Sequence, residues 1–414
     1  MNSASEIEEA PYGWVIVAVA TYGMVLAFGA NLSVSVLIDP LQTEFGWSRA
    51  QISVAYTMLT VGAAIGGLFW GTLSDRIGAK KIVFFGAIVL SSQLMMLSFQ
   101  STLWSIYFFY FVLGAVGIGA LFTPLLALTG LWFTKRKGLA LGIVTAGGAI
   151  GQGAIPLAER VMISNWGWRD AMFYMGVFYL VTLIPVLFFL KQPPVLEGTK
   201  GSVKKSNENS WNISHKITLP WLSFAGLFCC ICMAAPLIHL VPLGMDLGFS
   251  PETAASLLFV LMLSGVFGRL FFGSFADRVG GLKAYFLASF GQTLSVFWFT
   301  QSSSLPVLYI ISAVFGFAFA GVMTCLIICS QHAAPPRLAG LAVAVVSGTA
   351  WVGMGLGGYQ AGYFFDLSGT YTMSYAFATI AGVINLLILT ALFIFRQKHT
   401  SSGPDQHREI LSAQ

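Results

Sequence analysis

Long apolar runs alternate with short polar connections along most of the chain. The runs cover residues 12–38, 50–73, 82–99, 103–132, 139–160, 171–190, 219–245, 253–275, 282–300, 304–330, 339–362 and 371–395. A helix that crosses a bilayer needs about 20 apolar residues, and each run is close to that length or longer. The pattern therefore predicts an all-α membrane protein with twelve transmembrane helices.

Composition supports this prediction and excludes several classes of function. Of the 414 residues, 57% are hydrophobic and 9% are charged, whereas about 25% of the residues in soluble domains are charged. Such a chain has too few polar residues to cover a soluble surface. We therefore exclude a soluble enzyme, a nucleic-acid-binding protein and a disordered scaffold, and we expect the lipid bilayer as the surrounding partner.

One long polar stretch divides the runs into two sets of six. It extends from Lys191 to Lys216 and contains the string GTKGSVKKSNENS, which has too few apolar residues to fold. The predicted organisation is a six-helix half at 1–190, a cytoplasmic linker at 191–217, a second six-helix half at 218–398 and a tail at 399–414.

Basic residues predict the orientation of the chain. Most Lys and Arg residues lie in the two tails and in the loops after the even-numbered runs, whereas the opposite loops carry Arg49, Arg160 and Arg169. Cytoplasmic loops of membrane proteins are enriched in Lys and Arg, so we expect both termini in the cytoplasm. The short loops suit a bacterial inner membrane.

The two halves have related sequences. A constant shift of 202 residues superposes Pro40 on Pro242 and Gly66 on Gly268, and it also pairs identical residues at 75 and 277, 114 and 316, and 151 and 353. Both halves begin on the same side of the membrane, because six helices separate them. Such parallel repeats are typical of transporters that work by alternating access.

The strongest motif follows the second run and recurs after the eighth. Its first glycine allows close helix approach, its acidic residue can form an ion pair on the cytoplasmic side, and its second glycine turns the chain. The pattern resembles the signature of the major facilitator superfamily, which implies the two-repeat fold of that superfamily. The gating residues that this resemblance implies are Gly71, Asp75, Arg76, Gly78, Asp277 and Arg278.

Shorter motifs in a fixed order narrow the resemblance. They are Pro11-Tyr12-Gly13-Trp14, Glu44-Phe45-Gly46-Trp47-Ser48-Arg49, Trp132-Phe133 with the basic segment after it, and Gly167-Trp168-Arg169. In this order they resemble the monocarboxylate transporter family and the related oxalate:formate antiporters, especially the bacterial members. The resemblance implies a small organic anion as the substrate.

Arg269 is the charged residue predicted nearest the middle of the membrane. It precedes Asp277 by eight residues, which is about 12 Å along a helix. Its counterpart under the 202-residue shift is Gly67, although the flanking residues are identical in the two halves. Ionisable residues inside a membrane are expensive and usually functional. We therefore predict that Arg269 binds the substrate anion, with a buried ion pair as the alternative.

The resemblance also indicates how many cations the site contains. In the resembling families, the arginine at this place binds the substrate carboxylate. Mammalian monocarboxylate transporters carry an Asp where this chain has Gly265 and a Lys where it has Leu32, and oxalate:formate antiporters carry a Lys near Val346. One fixed cation suits a monocarboxylate such as lactate or pyruvate, and it leaves a dicarboxylate under-neutralised.

Further candidate substrate-binding residues lie on the first, fourth and tenth runs. Polar side chains there can contact a substrate, although hydroxyl groups in membrane helices often bond their own backbone. Apolar side chains can form a wall around a short acyl chain, with helix packing as the alternative. These candidates are Asn31, Tyr110, Thr123 and Thr324, and Phe28, Leu32 and Phe315.

Two titratable residues lie on the outer half of the seventh run, His239 and Asp246. Moving a lone anion inward against the membrane potential costs about 2.3 kcal/mol per 100 mV, and a co-transported proton removes that cost. Because Gly265 replaces the mammalian Asp, we hypothesise that Asp246 carries the proton and that His239 tunes it. A hydrogen-bonded packing role is the alternative for His239.

The sequence therefore predicts a secondary transporter of small organic monocarboxylates, a proton-coupled symporter that works as a monomer. A carboxylate exchanger of the oxalate:formate type is one alternative, and a non-transporting membrane sensor is another. We expect no enzymatic activity, no cofactor and no metal. The five cysteines all lie in apolar runs, where cysteine usually behaves as a small apolar residue.

Overall fold

The computed structural model describes residues 11–133, 136–192, 211, 213–335 and 338–401 of the chain. Within these ranges the chain is almost entirely helical and forms no β-strand. Most of the predicted linker and nearly all of the predicted tail lie outside the described residues.

The helices follow the predicted runs closely. The first predicted span consists of two consecutive helices that meet at Ser33, and the fourth consists of two helices joined by a π-helical turn. Up to the linker the helices are α1 (Tyr12–Leu32), α2 (Val34–Phe45), α3 (Arg49–Ile77), α4 (Ala79–Leu97), α5 (Leu103–Val112), α6 (Gly119–Trp132), α7 (Lys137–Trp166) and α8 (Trp168–Leu187). After the linker they are α9 (His215–Asp246), α10 (Pro251–Val279), α11 (Gly281–Trp298), α12 (Leu305–Ala333), α13 (Ala339–Ser368) and α14 (Tyr371–Ser401).

Eleven helical segments of the described chain are long and apolar enough to cross a membrane. The remaining predicted span, at 282–300, is occupied by α11, which has 18 residues. This helix buries Ser289, Gln292 and Thr293, and the Gln292 side chain donates a hydrogen bond to the carbonyl oxygen of Cys229 at 3.0 Å. Its hydropathy is lowered by these buried polar side chains and by the exposed Lys283 near its start.

The chain packs into two compact units. One comprises Met1–Glu197 with Leu237–Val266, and the other comprises Gly198–Pro236 with Phe267–Gln414. The end of α9 and the start of α10 thus belong with the first six predicted spans. The division into two six-helix halves at the linker describes the organisation of the sequence, and it stays a prediction.

Helices approach one another closely at glycines, and the 202-residue repeat is visible in these contacts. A Cβ atom on Gly66 would overlap the carbonyl oxygen of Ala115, and one on Gly268 would overlap that of Phe317. The two contacts are related by the same shift of 202 residues. Small residues at helix crossings allow this approach in membrane proteins, so the sequence repeat reflects a repeated packing arrangement.

A second set of close contacts forms a ladder along α1 and α7, with a step of four residues on both helices. The steps pair Thr21 with Gly147, Val25 with Gly151, and Gly29 with Ile155. In the other unit, Leu227 with Gly353 and Ile231 with Gly357 repeat the second and third steps. Because one residue of each pair is a glycine, the two helix backbones lie close together.

The π-helical turn covers Leu113–Ile118, between α5 and α6. The indole nitrogen of Trp70 donates a hydrogen bond to the carbonyl oxygen of Ala115 at 2.8 Å, which gives this carbonyl group inside the turn a partner. Such turns are frequent at functional sites. The hydrophobic pattern does not indicate the turn, since apolar residues continue through it.

Candidate functional site

Arg269 lies on the buried stripe of α10. Gly265 and Phe272, one turn before and after it, are buried, whereas Phe267 and Leu270 are largely exposed. The arginine residue itself is half-buried. In a membrane, the exposed phenylalanine and leucine side chains contact lipid, so Arg269 is directed away from the lipid-facing side of the helix.

The corresponding position in the first unit carries no side chain. A Cβ atom on Gly67 would meet Thr123 Oγ1 at 3.6 Å, an ordinary van der Waals distance, and nothing nearer. A repeat of the same fold therefore forms without an arginine at this place. Packing alone does not account for Arg269.

The positions expected to carry further charge in related families are apolar and buried here. Leu32 ends α1 and Val346 lies in α13, and both side chains are almost fully buried. Gly265 is likewise buried in α10. None of these three positions therefore carries a charged side chain.

Two of the further candidate substrate-binding residues, Asn31 and Tyr110, have buried polar side chains. The amide of Asn31 and the hydroxyl of Tyr110 have no hydrogen-bond partner within the described parts of the chain. Buried polar groups nearly always have a partner in proteins or in ordered water. These two side chains are therefore available to bind a ligand or water.

The two candidate threonine side chains make different contacts. The methyl group of Thr123 packs against Gly71, where a Cβ atom would lie 2.9 Å away. The hydroxyl of Thr324 donates a hydrogen bond to the carbonyl oxygen of Ala320 at 3.0 Å. Thr324 thus bonds its own helix backbone, as hydroxyl groups in membrane helices often do.

The aromatic candidates take part in packing. The ring centroid of Phe28 lies 5.3 Å from that of Phe122 in an edge-to-face arrangement. Phe315 is fully buried, with its centroid 5.8 Å from Phe299 and 6.0 Å from Phe319. Phe315 therefore belongs to the aromatic core of its unit, while Phe28 remains half-buried.

The two candidate proton groups on α9 both contact the start of α3. Arg49 donates to both carboxylate oxygens of Asp246, at 2.6 and 2.8 Å, and the two side chains are 7% and 37% exposed. The Nε2 atom of the buried His239 lies 3.3 Å from the hydroxyl oxygen of Ser53. A paired, charge-assisted hydrogen bond of this kind is strong and geometrically specific. All four residues belong to the first unit.

The motif glycines occupy tight turns in both repeats. Gly78 links α3 to α4 with φ of 93°, and Gly280 links α10 to α11 with φ of 92°, a backbone conformation that favours glycine. Arg76, Asp277 and Arg278 are exposed at the helix ends. The Asp75 side chain lies outside the described part of the structure, so gating by these motif residues stays a prediction.

The model of the Major Facilitator Superfamily matches residues 19–358 of the chain. The chain belongs to this superfamily. It is therefore an integral membrane transporter and not an enzyme, in agreement with the prediction from the sequence.

Relatives of this major facilitator cover nearly its full length. Monocarboxylate transporter 13 of Rattus norvegicus is 26% identical over 98% of this chain and 95% of its own. The uncharacterized MFS-type transporter YcxA of Bacillus subtilis (strain 168) is 25% identical over 92% of this chain and 96% of its own. A solved D-xylose-proton symporter superposes with a TM-score of 0.73 at 16% identity, covering 91% of this chain and 97% of that one. The last similarity confirms the fold.

This major facilitator also buries a carboxyl group that the sequence pattern places nearer the membrane surface. Glu159 lies in α7, seven residues before the end of the helix, which is about 10 Å inside it. Its side chain is 0% exposed, and the Ser33 hydroxyl donates a hydrogen bond to its Oε1 atom at 2.8 Å. Ser33 and Glu159 occupy the next four-residue step of the α1–α7 ladder.

Proposed function

We propose that this transporter carries small organic monocarboxylates of the size of lactate or pyruvate, together with a proton. Arg269 carries the proposal, because it places a guanidinium on the buried stripe of a membrane helix. A planar guanidinium offers two parallel N–H donors to a carboxylate, which a lysine ammonium does not.

The number of charges favours monoanions over dianions. Leu32, Gly265 and Val346 add no charge, so a monocarboxylate bound to Arg269 forms a neutral pair. A dicarboxylate would bring a second, uncompensated charge into a low-dielectric region, at a cost of several kcal/mol. The names of the monocarboxylate transporter relatives, which match nearly the whole chain, support the same substrate class here.

Coupling to a proton removes the electrical cost of anion uptake. On α9, a proton that binds Asp246 would remove the anionic partner of Arg49, whose two hydrogen bonds connect α9 to α3. We keep Asp246 as a candidate proton carrier and His239 as the residue that tunes it. We further propose a monomer in a bacterial inner membrane with both termini in the cytoplasm, since the basic residues concentrate in the tails and alternate loops.

A carboxylate exchanger of the oxalate:formate type is the second candidate. One observation favours it, namely that Gly265 stands one turn before Arg269 on α10. At that place the resembling proton symporters carry an aspartate. An exchanger needs no proton-binding group, because one anion enters as another leaves.

Competition for uptake tests the proposed substrate class. In this assay the purified transporter is reconstituted in liposomes, and uptake of labelled lactate is measured in the presence of unlabelled acids of two to four carbons. We expect acetate, lactate and pyruvate to compete at least about tenfold better than oxalate, malonate and succinate, a difference of about 1.4 kcal/mol. Protein-free liposomes measure passive permeation of the uncharged acids. Equal or better competition by the dicarboxylates would contradict the proposal.

A further inference from the structure

Glu159 is a buried carboxyl group held by a neutral donor. Its Oε1 atom accepts the hydrogen bond from Ser33, and its Oε2 atom has no hydrogen-bond partner among the residues that the structure describes. The side chain is fully buried. A carboxylate in such a place loses its hydration without gaining a cation, whereas the uncharged carboxylic acid is far less costly to bury.

Among the residues that the structure describes, no cation forms a salt bridge or a hydrogen bond with the Glu159 carboxyl group. Tyr110 of α5 and Tyr179 of α8 lie within electrostatic reach of the carboxyl group, and α6 carries no titratable side chain. Arg160, the next residue of α7, interacts instead with Asp39 of α2 and Glu252 of α10. The other titratable groups on the helices packed here are Tyr12 and Tyr22 of α1, Glu44 of α2, Tyr107 of α5, Lys137 of α7, and Arg169, Asp170 and Tyr174 of α8.

The repeat shows that the fold does not need this pair for packing. Under the shift of 202 residues, Ser33 and Glu159 correspond to Ala235 and Ala361, both fully buried. The steps before them, Val25 with Gly151 and Gly29 with Ile155, have direct counterparts in the other unit. The other unit therefore holds two buried alanines at the corresponding positions, so the repeated fold does not require an acid there.

We propose that Glu159 is the proton-binding carboxyl group of the transport cycle. It holds the proton while it is buried against Ser33, and it releases the proton to water when a change of conformation hydrates it. The oxygen keeps the electron pair of the broken O–H bond and becomes a carboxylate, which resists burial until a proton binds again. Proton binding is thereby tied to the conformational cycle. The inference rests on the proposed proton-coupled transport, and it makes Glu159 a rival to Asp246 as the proton carrier.

Proton movement and substrate movement, measured separately, test this assignment. Liposomes with a trapped pH-sensitive dye report internal acidification when lactate is added, and exchange of labelled for unlabelled lactate reports substrate movement that needs no net proton transfer. For Glu159→Gln, which keeps an acceptor for Ser33 and cannot release a proton, we expect lactate-dependent acidification to fall at least tenfold while exchange remains. Asp170→Asn, which removes an exposed carboxyl group from the start of α8, should behave like the parent protein.

A second variant guards against a folding defect in the first. The double variant Ser33→Ala/Glu159→Ala reproduces the alanine pair of the repeat, so we expect it to fold, to exchange lactate and to lose the acidification. Full acidification in either Glu159 variant would overturn the assignment. If acidification fails instead in Asp246→Asn and persists in both Glu159 variants, the proton site is on α9. A parent protein that exchanges lactate without acidification contradicts proton coupling itself, and one that moves no monocarboxylate contradicts the proposed substrate.

Discussion

At the scale of single residues, a charge inside the membrane demands an explanation. An arginine near the middle of a bilayer costs about 3 kcal/mol or more, and the other repeat places glycine at the same position as Arg269. Under the same shift of 202 residues, Glu159 corresponds to an alanine, Ala361. Each of the two residues departs from the internal repeat at a place where the counterpart shows that packing does not require it.

Replacement of Arg269 tests the residue assigned to the substrate. Arg269→Lys keeps the charge and loses the planar pair of donors, so we expect at least tenfold slower lactate uptake, and Arg269→Ala should abolish it. Uptake is measured in liposomes at matched protein content. Lys283→Ala, which removes an exposed cation from α11, serves as the control for loss of positive charge. An Arg269→Ala protein as fast as the parent would exclude the carboxylate-anchor role.

The two residues differ in how far the sequence alone could identify them. The sequence drew attention to Arg269, because it is a cation deep in an apolar run next to a repeated motif, and its role in binding the substrate stays a prediction. The burial of Glu159 depends on how closely α1 approaches α7, and hydropathy does not report that distance. The pairing of Arg49 with Asp246 was likewise out of reach, since 197 residues separate them.

At the scale of helices, glycines determine which helices approach most closely. Gly151 of α7 packs against the backbone of α1 at Val25, and Gly353 of α13 packs against Leu227 of α9. The twelve runs predicted the helices themselves. The π-helical turn Leu113–Ile118 was not predictable, because it lies within uninterrupted apolar sequence. The polar residues around Ser33 do not by themselves indicate a junction between two helices.

A pair of substitutions on α7 tests the ladder. In Gly151→Ala the new methyl group would overlap the carbonyl oxygen of Val25, and such overpacking costs about 1–3 kcal/mol. In Gly142→Ala the methyl group meets nothing within 4 Å, and alanine favours a helix over glycine by roughly 0.5–1 kcal/mol. We expect the thermal unfolding midpoint in detergent to fall for the first variant and to stay or rise for the second. The reverse order would contradict the packing described for α1 and α7.

The ion pair between α3 and α9 allows a test by exchange of charges. Arg49→Gln and Asp246→Asn each leave one charged partner without its counterpart. We expect each variant to lower the free energy of unfolding by about 1.5–3 kcal/mol, and therefore to lower the unfolding midpoint. The double variant Arg49→Asp/Asp246→Arg should recover part of the loss. If the effects of the single variants Arg49→Asp and Asp246→Arg were strictly additive in the double variant, the contact would not be formed.

At the scale of the whole molecule, composition and the repeat together predicted a two-repeat membrane transporter, and the superfamily match confirms that class. The grouping of Leu237–Val266 with the first six spans did not follow from the sequence, because linker position and hydropathy say nothing about which helices pack together. The proposed substrate cation, Arg269, and the proposed proton-binding acid, Glu159, lie on different helices, α10 and α7.

Acid-driven lactate uptake is the measurement that tests the central claim most directly. Liposomes that contain the purified protein and no carboxylate are placed in a more acidic solution with labelled lactate. The label that accumulates inside them is compared with that in protein-free liposomes, which give the passive baseline. Proton-coupled monocarboxylate transport predicts accumulation that the pH gradient drives and a protonophore abolishes. Uptake that ignores the pH gradient and requires a carboxylate inside the liposomes would contradict it and identify an exchanger.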